Sequence, residues 1–118
     1  MFSAIVLDHF YNPRNCGPIE GATHEGVAGS PGDGPYMILQ FDVDAEGIVR
    51  RAAYRTYGCP ATSACGSMLC EMAVGRRALL LLDLTATELM QVLGGLPEGR
   101  EHCAERTIAA LKAAFKEI

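Results

Sequence analysis

The spacing of apolar residues changes period twice along this chain, and each change marks an element. In residues 2–11, Phe2, Ile5, Val6 and Phe10 recur on one side of a helix, and Asn12-Pro13 ends the run. Residues 15–34 are rich in Gly, Pro and Ser, with one strand expected near residues 23–28. Gly29-Ser30-Pro31-Gly32-Asp33-Gly34-Pro35 is dense in turn formers and reads as a loop. In residues 36–43 the period becomes two. Met37, Leu39, Phe41 and Val43 share one face, and Gln40 and Asp42 the other. Asp44-Ala45-Glu46-Gly47 turns the chain, and residues 48–57 return as the second arm of a hairpin, with Ile48, Ala52 and Tyr54 on a common face.

After Cys59 the period is helical again. Ala61, Ala64, Cys65, Met68 and Met72 fall on one stripe, and Gly75 ends it. Thr85-x-x-Glu88 has the spacing of a capping box, opening a short helix that stops at Gly94-Gly95. A last helix is expected from Ala104, with Ala104, Ile108, Leu111, Phe115 and Ile118 on one stripe. Three strands followed by helices predict an α+β fold, a three-stranded antiparallel sheet covered by helices. Without an internal repeat or a linker, the 118 residues read as one domain, residues 1–118.

Composition narrows the setting. A formal charge of −4 argues against a nucleic-acid partner, which usually recruits a basic face. The apolar run Leu79 to Leu82 is far shorter than the roughly 20 residues a membrane span needs. The N-terminus lacks a basic region followed by an apolar core and a cleavage site, so secretion is not expected. Five cysteines without paired spacing fit a reducing, cytoplasmic setting better than a disulfide framework.

The candidate chemistry lies in two of those cysteines. Cys59 ends a strand and precedes Pro60, a residue favoured at the first helical position. Cys103 follows His102 and opens the last helical run. Free N–H groups at a helix start favour a thiolate. The dipole contributes about 0.3–1 kcal/mol, up to about 2 in partly buried sites. Lowering a thiol from about 8.5 to about 7 takes roughly 2 kcal/mol, so a metal or a cation must supply the remainder. Arg100 and Arg106 are the cations nearest Cys103 in sequence. Two thiolates need two more donors for a tetrahedral zinc site or an iron–sulfur cluster. His102 is the nearest, and it joins Cys103 best from just before the helical turn. Asp33, between glycines that let the backbone approach closely, is the other.

Plainer roles compete with each. A cysteine at a strand–helix junction is more often a small buried hydrophobe. A lone histidine there is more often a solvated cap residue, and an aspartate between glycines a turn former. Cys65 lies on the apolar stripe and reads as packing. Cys70 lies off the stripe and has no identifiable partner, and Cys16 sits in a Gly/Pro loop. His9 and His24 have no visible constellation, and Arg50-Arg51 reads as a solvated strand surface.

Several segments together resemble the IscU/NifU N-terminal family of iron–sulfur cluster assembly scaffolds, over almost the whole chain. Asp8-His9-Phe10-Tyr11-Asn12-Pro13-Arg14-Asn15 is similar to the family's opening signature. Gly29 to Gly34 stands where the family's loop carries its first ligand cysteine. Thr56-Tyr57-Gly58-Cys59 resembles the segment carrying the second, and His102-Cys103 the segment carrying the third. The resemblance implies the α+β sandwich already reached. It also implies a protein that takes sulfur from a cysteine desulfurase, holds a transient [2Fe–2S] cluster, and passes it to apo-proteins. Zinc is implied at the same site, and a frataxin-like protein as a further partner.

By the same resemblance the ligand set is Asp33, Cys59, His102 and Cys103, with Cys103 as persulfide acceptor. Three departures qualify it. Asp33 stands where the first cysteine is expected. Pro35 stands where the family has an aspartate associated with cluster lability. Leu96-Pro97-Glu98-Gly99-Arg100 replaces a Leu-Pro-Pro-Val-Lys chaperone motif, which counts against an Hsp70-type partner. A hard carboxylate for a soft thiolate suits zinc and weakens the hold on a cluster. The leading expectation is a scaffold, not an enzyme. The alternative is a degenerate zinc-binding homologue that docks to or regulates the desulfurase without building clusters. A nucleophile–base pair of Cys103 and His102 is the remaining reading; adjacent side chains rarely meet, and no third residue orients them.

Overall fold

The computed structural model describes residues 2–116. Helix α1 (Ala4–Tyr11) precedes three strands, β1 (His24–Gly29), β2 (Tyr36–Val43) and β3 (Val49–Tyr57). Four helices follow: α2 (Pro60–Ala73), α3 (Ala78–Leu81), α4 (Ala86–Val92) and α5 (Glu101–Ala114). The sheet runs β1-β2-β3 with both pairs antiparallel. The expected α+β fold, a three-stranded antiparallel sheet covered by helices, is the fold found.

Alternation along β2 builds the core. Met37, Leu39 and Phe41 are fully buried on the face covered by α2 and α5. Burying each such side chain stabilises the fold by about 1.5–3 kcal/mol. Helix α5 lies so close to β1 that a Cβ on Gly26 would come 1.9 Å from the Ala110 carbonyl oxygen. Gly66 plays the same part in α2, where a Cβ would come 2.7 Å from the Tyr54 ring.

Four expectations need correction. In α1 the buried residues are Val6 and His9, while Ile5 and Phe10 are exposed. His9 leaves water because its Nδ1 lies 2.8 Å from the Ser67 hydroxyl of α2, which also accepts from the Arg14 amide at 3.0 Å. The opening signature thus docks α1 on α2, and Asp8 braces its exit through Arg14 at 2.8 Å. In β3, Val49 takes the core place expected of Ile48. The register slips between Asp42 and Val43, so Asp42 faces Arg51 while Val43 faces Val49. Such a bulge switches the sheet face of everything beyond it. The buried face of α2 is wider than the expected stripe and takes in Cys70, because α2 is enclosed by the sheet, α1, α4 and α5. Finally, α5 begins at Glu101, not Ala104. Its expected stripe holds through Ala104, Ile108, Leu111 and Phe115; Ile118 lies outside the described residues.

The capping box on α4 is present in both directions, Thr85 accepting from the Glu88 amide and Glu88 from the Thr85 amide, each at 3.1 Å. Gly94 and Gly95 end that helix in the left-handed region, and α3 is an element the periodicity did not mark. No helix among the described residues is long and apolar enough to cross a membrane.

Candidate metal centre

Cys59 is the N-cap of α2, with Pro60 in the first helical turn. Cys103 is the third residue of α5, capped by Arg100. Packing of α2 against α5 brings their first turns together. The Cys59 and Cys103 sulfurs lie 3.8 Å apart. That is van der Waals contact without a bond, and both cysteines are free thiols. His102 presents Nε2 to the Cys103 sulfur at 3.6 Å, from inside the helical turn rather than just before it. The imidazole is exposed, the Cys103 side chain fully buried, and Cys59 half-buried.

The two thiols differ in their electrostatics. Burial pushes Cys59 up, but the Thr62 amide and hydroxyl, the Ala61 amide and the Cys103 thiol outweigh it, so Cys59 ends below the ordinary thiol value. The amides face its sulfur without closing a full capping hydrogen bond. Cys103 ends above the ordinary value, pushed up by burial and the Cys59 charge against the pull of Thr62 and Arg106.

Asp33 sits elsewhere on this end of the molecule. It is exposed at the tip of the β1–β2 loop between Gly32 (φ 87°) and Gly34 (φ 118°), its amide bonded to the Ser30 carbonyl at 2.9 Å. The loop borders an open groove of about 310 Å³ lined by Gly32, Gly34, Tyr36 and Tyr57. Tyr36 pairs with Tyr57, two residues before Cys59. The structure therefore brings Cys59, Cys103 and His102 together and places Asp33 on a loop at the same sheet end, without joining it to them. Among the described residues no three His, Cys, Asp or Glu side chains stand in metal-holding geometry. The donor types fit a soft metal or a cluster: two sulfurs in contact, one imidazole beside them, and a carboxylate on a glycine-flanked loop.

The other cysteines fall away from this chemistry. Burial holds the Cys65 thiol at about 12, and Cys70 higher still. Cys16 is exposed and its backbone pairs in parallel with Tyr54. Thr62 is the residue the sequence reading missed. Its hydroxyl lies 3.3 Å from the Cys103 sulfur and 3.8 Å from that of Cys59. The available signal was spacing, since Thr62 stands three residues after Cys59 in the first turn of a helix.

The family model described as NifU-like N terminal domain matches residues 1–118. The chain belongs to the NifU-like N-terminal domain family. Similar members include the iron–sulfur cluster assembly scaffold protein IscU of Aquifex aeolicus, 37% identical over 113 residues, covering 95% of this chain and 72% of that protein. The scaffold protein IscU of Azotobacter vinelandii is 33% identical over 119 residues, covering 98% and 92%. Among solved structures, a candidate iron–sulfur cluster assembly scaffold of the SUF system from Fervidobacterium islandicum shares the NifU-like fold. Its TM-score is 0.75 at 18% identity, over 96% of this chain and 95% of that one.

Proposed function

We propose that this NifU-like domain is a cytoplasmic iron–sulfur cluster assembly scaffold, a carrier rather than a turnover enzyme. It accepts sulfur from a cysteine desulfurase, holds a labile [2Fe–2S] cluster or zinc at Cys59, Cys103, His102 and Asp33, and passes the cluster to apo-proteins. The observation that carries this reading is the meeting of the two thiols, 3.8 Å apart, from the first turns of two helices. The names of its relatives support the same reading.

The chemistry follows from the donors. The Cys103 thiolate attacks the outer sulfur of the desulfurase persulfide; a new S–S bond forms on Cys103, the donor's S–S bond breaks, and the desulfurase thiolate leaves. Cys103 is fully buried, so this exchange requires the first turn of α5 or the loop before it to open. Gly99, at φ 87° just before the Arg100 cap, supplies a backbone joint there. With iron bound, Cys59 and Cys103 supply two thiolates and His102 an imidazole. Asp33 supplies a hard carboxylate where a soft donor would hold iron more tightly, which suits a cargo meant to leave. A frataxin-like partner fits this role, and an Hsp70-type chaperone does not, given Glu98-Gly99 within the segment.

The carboxylate also favours a second reading, a zinc-binding homologue that docks to the desulfurase without building clusters. Anaerobic incubation with ferrous iron and sulfide separates the two. The scaffold gains thiolate-to-iron charge-transfer absorption and acid-labile sulfide. A protein that keeps zinc and gains neither is the second kind.

A further inference from the structure

Thr62 is 1% exposed, and its hydroxyl has no water-facing side. A buried hydroxyl left without a partner costs about 1–3 kcal/mol. Threonine inside a helix commonly bonds back to the carbonyl four residues earlier, as Thr107 does to Cys103 at 2.9 Å. Thr62 does not. Among the described residues, its hydrogen-bonding neighbours are the two sulfurs of the site, Cys103 at 3.3 Å and Cys59 at 3.8 Å. Its β-branch leaves χ1 few rotamers, and the one present turns the hydroxyl to the sulfurs. The backbone makes room for it: a Cβ on Gly58 would come 2.8 Å from the Thr62 hydroxyl oxygen and 3.2 Å from its Cβ. Gly58 does not have a positive φ, so the space is what glycine provides there.

We propose that Thr62 is the positioning residue of the sulfur pair: its buried hydroxyl donates to the Cys103 sulfur and holds it against Cys59 for joint ligation. The inference rests on the scaffold reading for its purpose and on the two distances for its geometry. An O–H donor aimed at sulfur stabilises charge on it, both on the free thiolate and on a sulfur shared with a metal, where such hydrogen bonds tune the bound group. Valine would fill the same volume without a buried polar atom, so a residue needed only for packing has no use for the hydroxyl.

The test compares Thr62→Val, Thr62→Ser and Thr62→Ala with the parent protein in zinc affinity, measured by competition with a chromophoric chelator. Loss of the hydroxyl in Thr62→Val weakens zinc binding about tenfold, the scale on which losing a group that supports a metal ligand acts. Thr62→Ser, which keeps the hydroxyl and lacks the methyl, restores the affinity. If Thr62→Val fails to fold, Ser against Ala makes the same comparison. Equal affinities with and without the hydroxyl overturn the proposal, as does Ser behaving like Ala or a parent that binds no zinc. Iron and sulfide reconstitution of the parent runs separately. Its failure would remove the scaffold reading, while the zinc contrast still decides whether Thr62 positions the sulfur pair.

Discussion

The sulfurs of Cys59 and Cys103, 44 positions apart in sequence, lie 3.8 Å from one another across the first turns of α2 and α5. Everything proposed for this domain depends on that approach, and the α2–α5 packing that produces it has testable consequences.

Sulfur delivered by a cysteine desulfurase with free cysteine should land on Cys103. Mass spectrometry after proteolysis should find one added sulfur there and none on Cys65, whose thiol burial holds at about 12. Cys103 stands in the first turn of α5, which can open, whereas Cys65 lies inside α2 and stays enclosed. An adduct confined to Cys59 or Cys65 would remove Cys103 from the acceptor role.

Asp33 should matter to what is held and for how long. Asp33→Ala is expected to weaken bound zinc or cluster by about tenfold or more, on the scale seen when groups supporting a metal site are lost. Asp33→Cys replaces a hard donor with a soft one and should slow cluster release to a chelator. The exposed position of Asp33 makes both changes nearly neutral for folding. Unchanged metal content and release rate in both variants would exclude it as a ligand.

Close backbone packing under α5 predicts a sharp stability loss at Gly26. Gly26→Ala places a methyl 1.9 Å from the Ala110 carbonyl oxygen and 2.5 Å from the Ala114 nitrogen. Neither atom belongs to a flexible side chain, so helix and strand must separate, at about 3 kcal/mol. Urea unfolding should show the midpoint falling well below that of the parent, and further than in Gly47→Ala, where a Cβ meets nothing within 4 Å and only the strain of φ 83° is added. Comparable midpoints would mean α5 does not sit on β1 as described.

Acid should weaken the α1–α2 joint through His9. Burial pushes its pKa below 6.5, and the Arg14 charge adds to this, against the opposing pull of Glu71 and Asp8. Between the lowered folded value and about 6.5 the unfolded chain binds more protons, so stability rises with pH across that window. The contribution is complete above about pH 6.5 and is lost as pH falls toward the folded value. Denaturation curves at pH 7.5 and 5.5 should differ in this direction, and His9→Phe should shrink the difference. An equal pH dependence in parent and variant would contradict the assignment.

Much of this was legible in the sequence, because strands and helices write different periods. Met37, Leu39 and Phe41 announced their face, and Thr85 with Glu88 announced a helix start. Where reading failed, a nonlocal contact decided the outcome. Nothing in Phe2, Ile5 and Phe10 shows that Ser67, far along the chain, will take His9 inward. The bulge was hidden because Arg50 and Arg51 are both polar and either could face water. The start of α5 was hidden because Arg100 is not a favoured cap residue. The site itself was half legible. Cys59, His102 and Cys103 stood out by type and by family resemblance, whereas Thr62 became visible only when two helices met.

The central claim is that Cys59 and Cys103 hold one iron–sulfur cargo together. The most direct measurement is iron and acid-labile sulfide content after anaerobic reconstitution of the parent, Cys59→Ala, Cys103→Ala and the double variant, with the optical spectrum of each. Shared ligation predicts iron, sulfide and charge-transfer absorption in the parent, and near-complete loss in either single variant, as deep as in the double. A parent that takes up no sulfide, or single variants that keep the parent's spectrum, would contradict it.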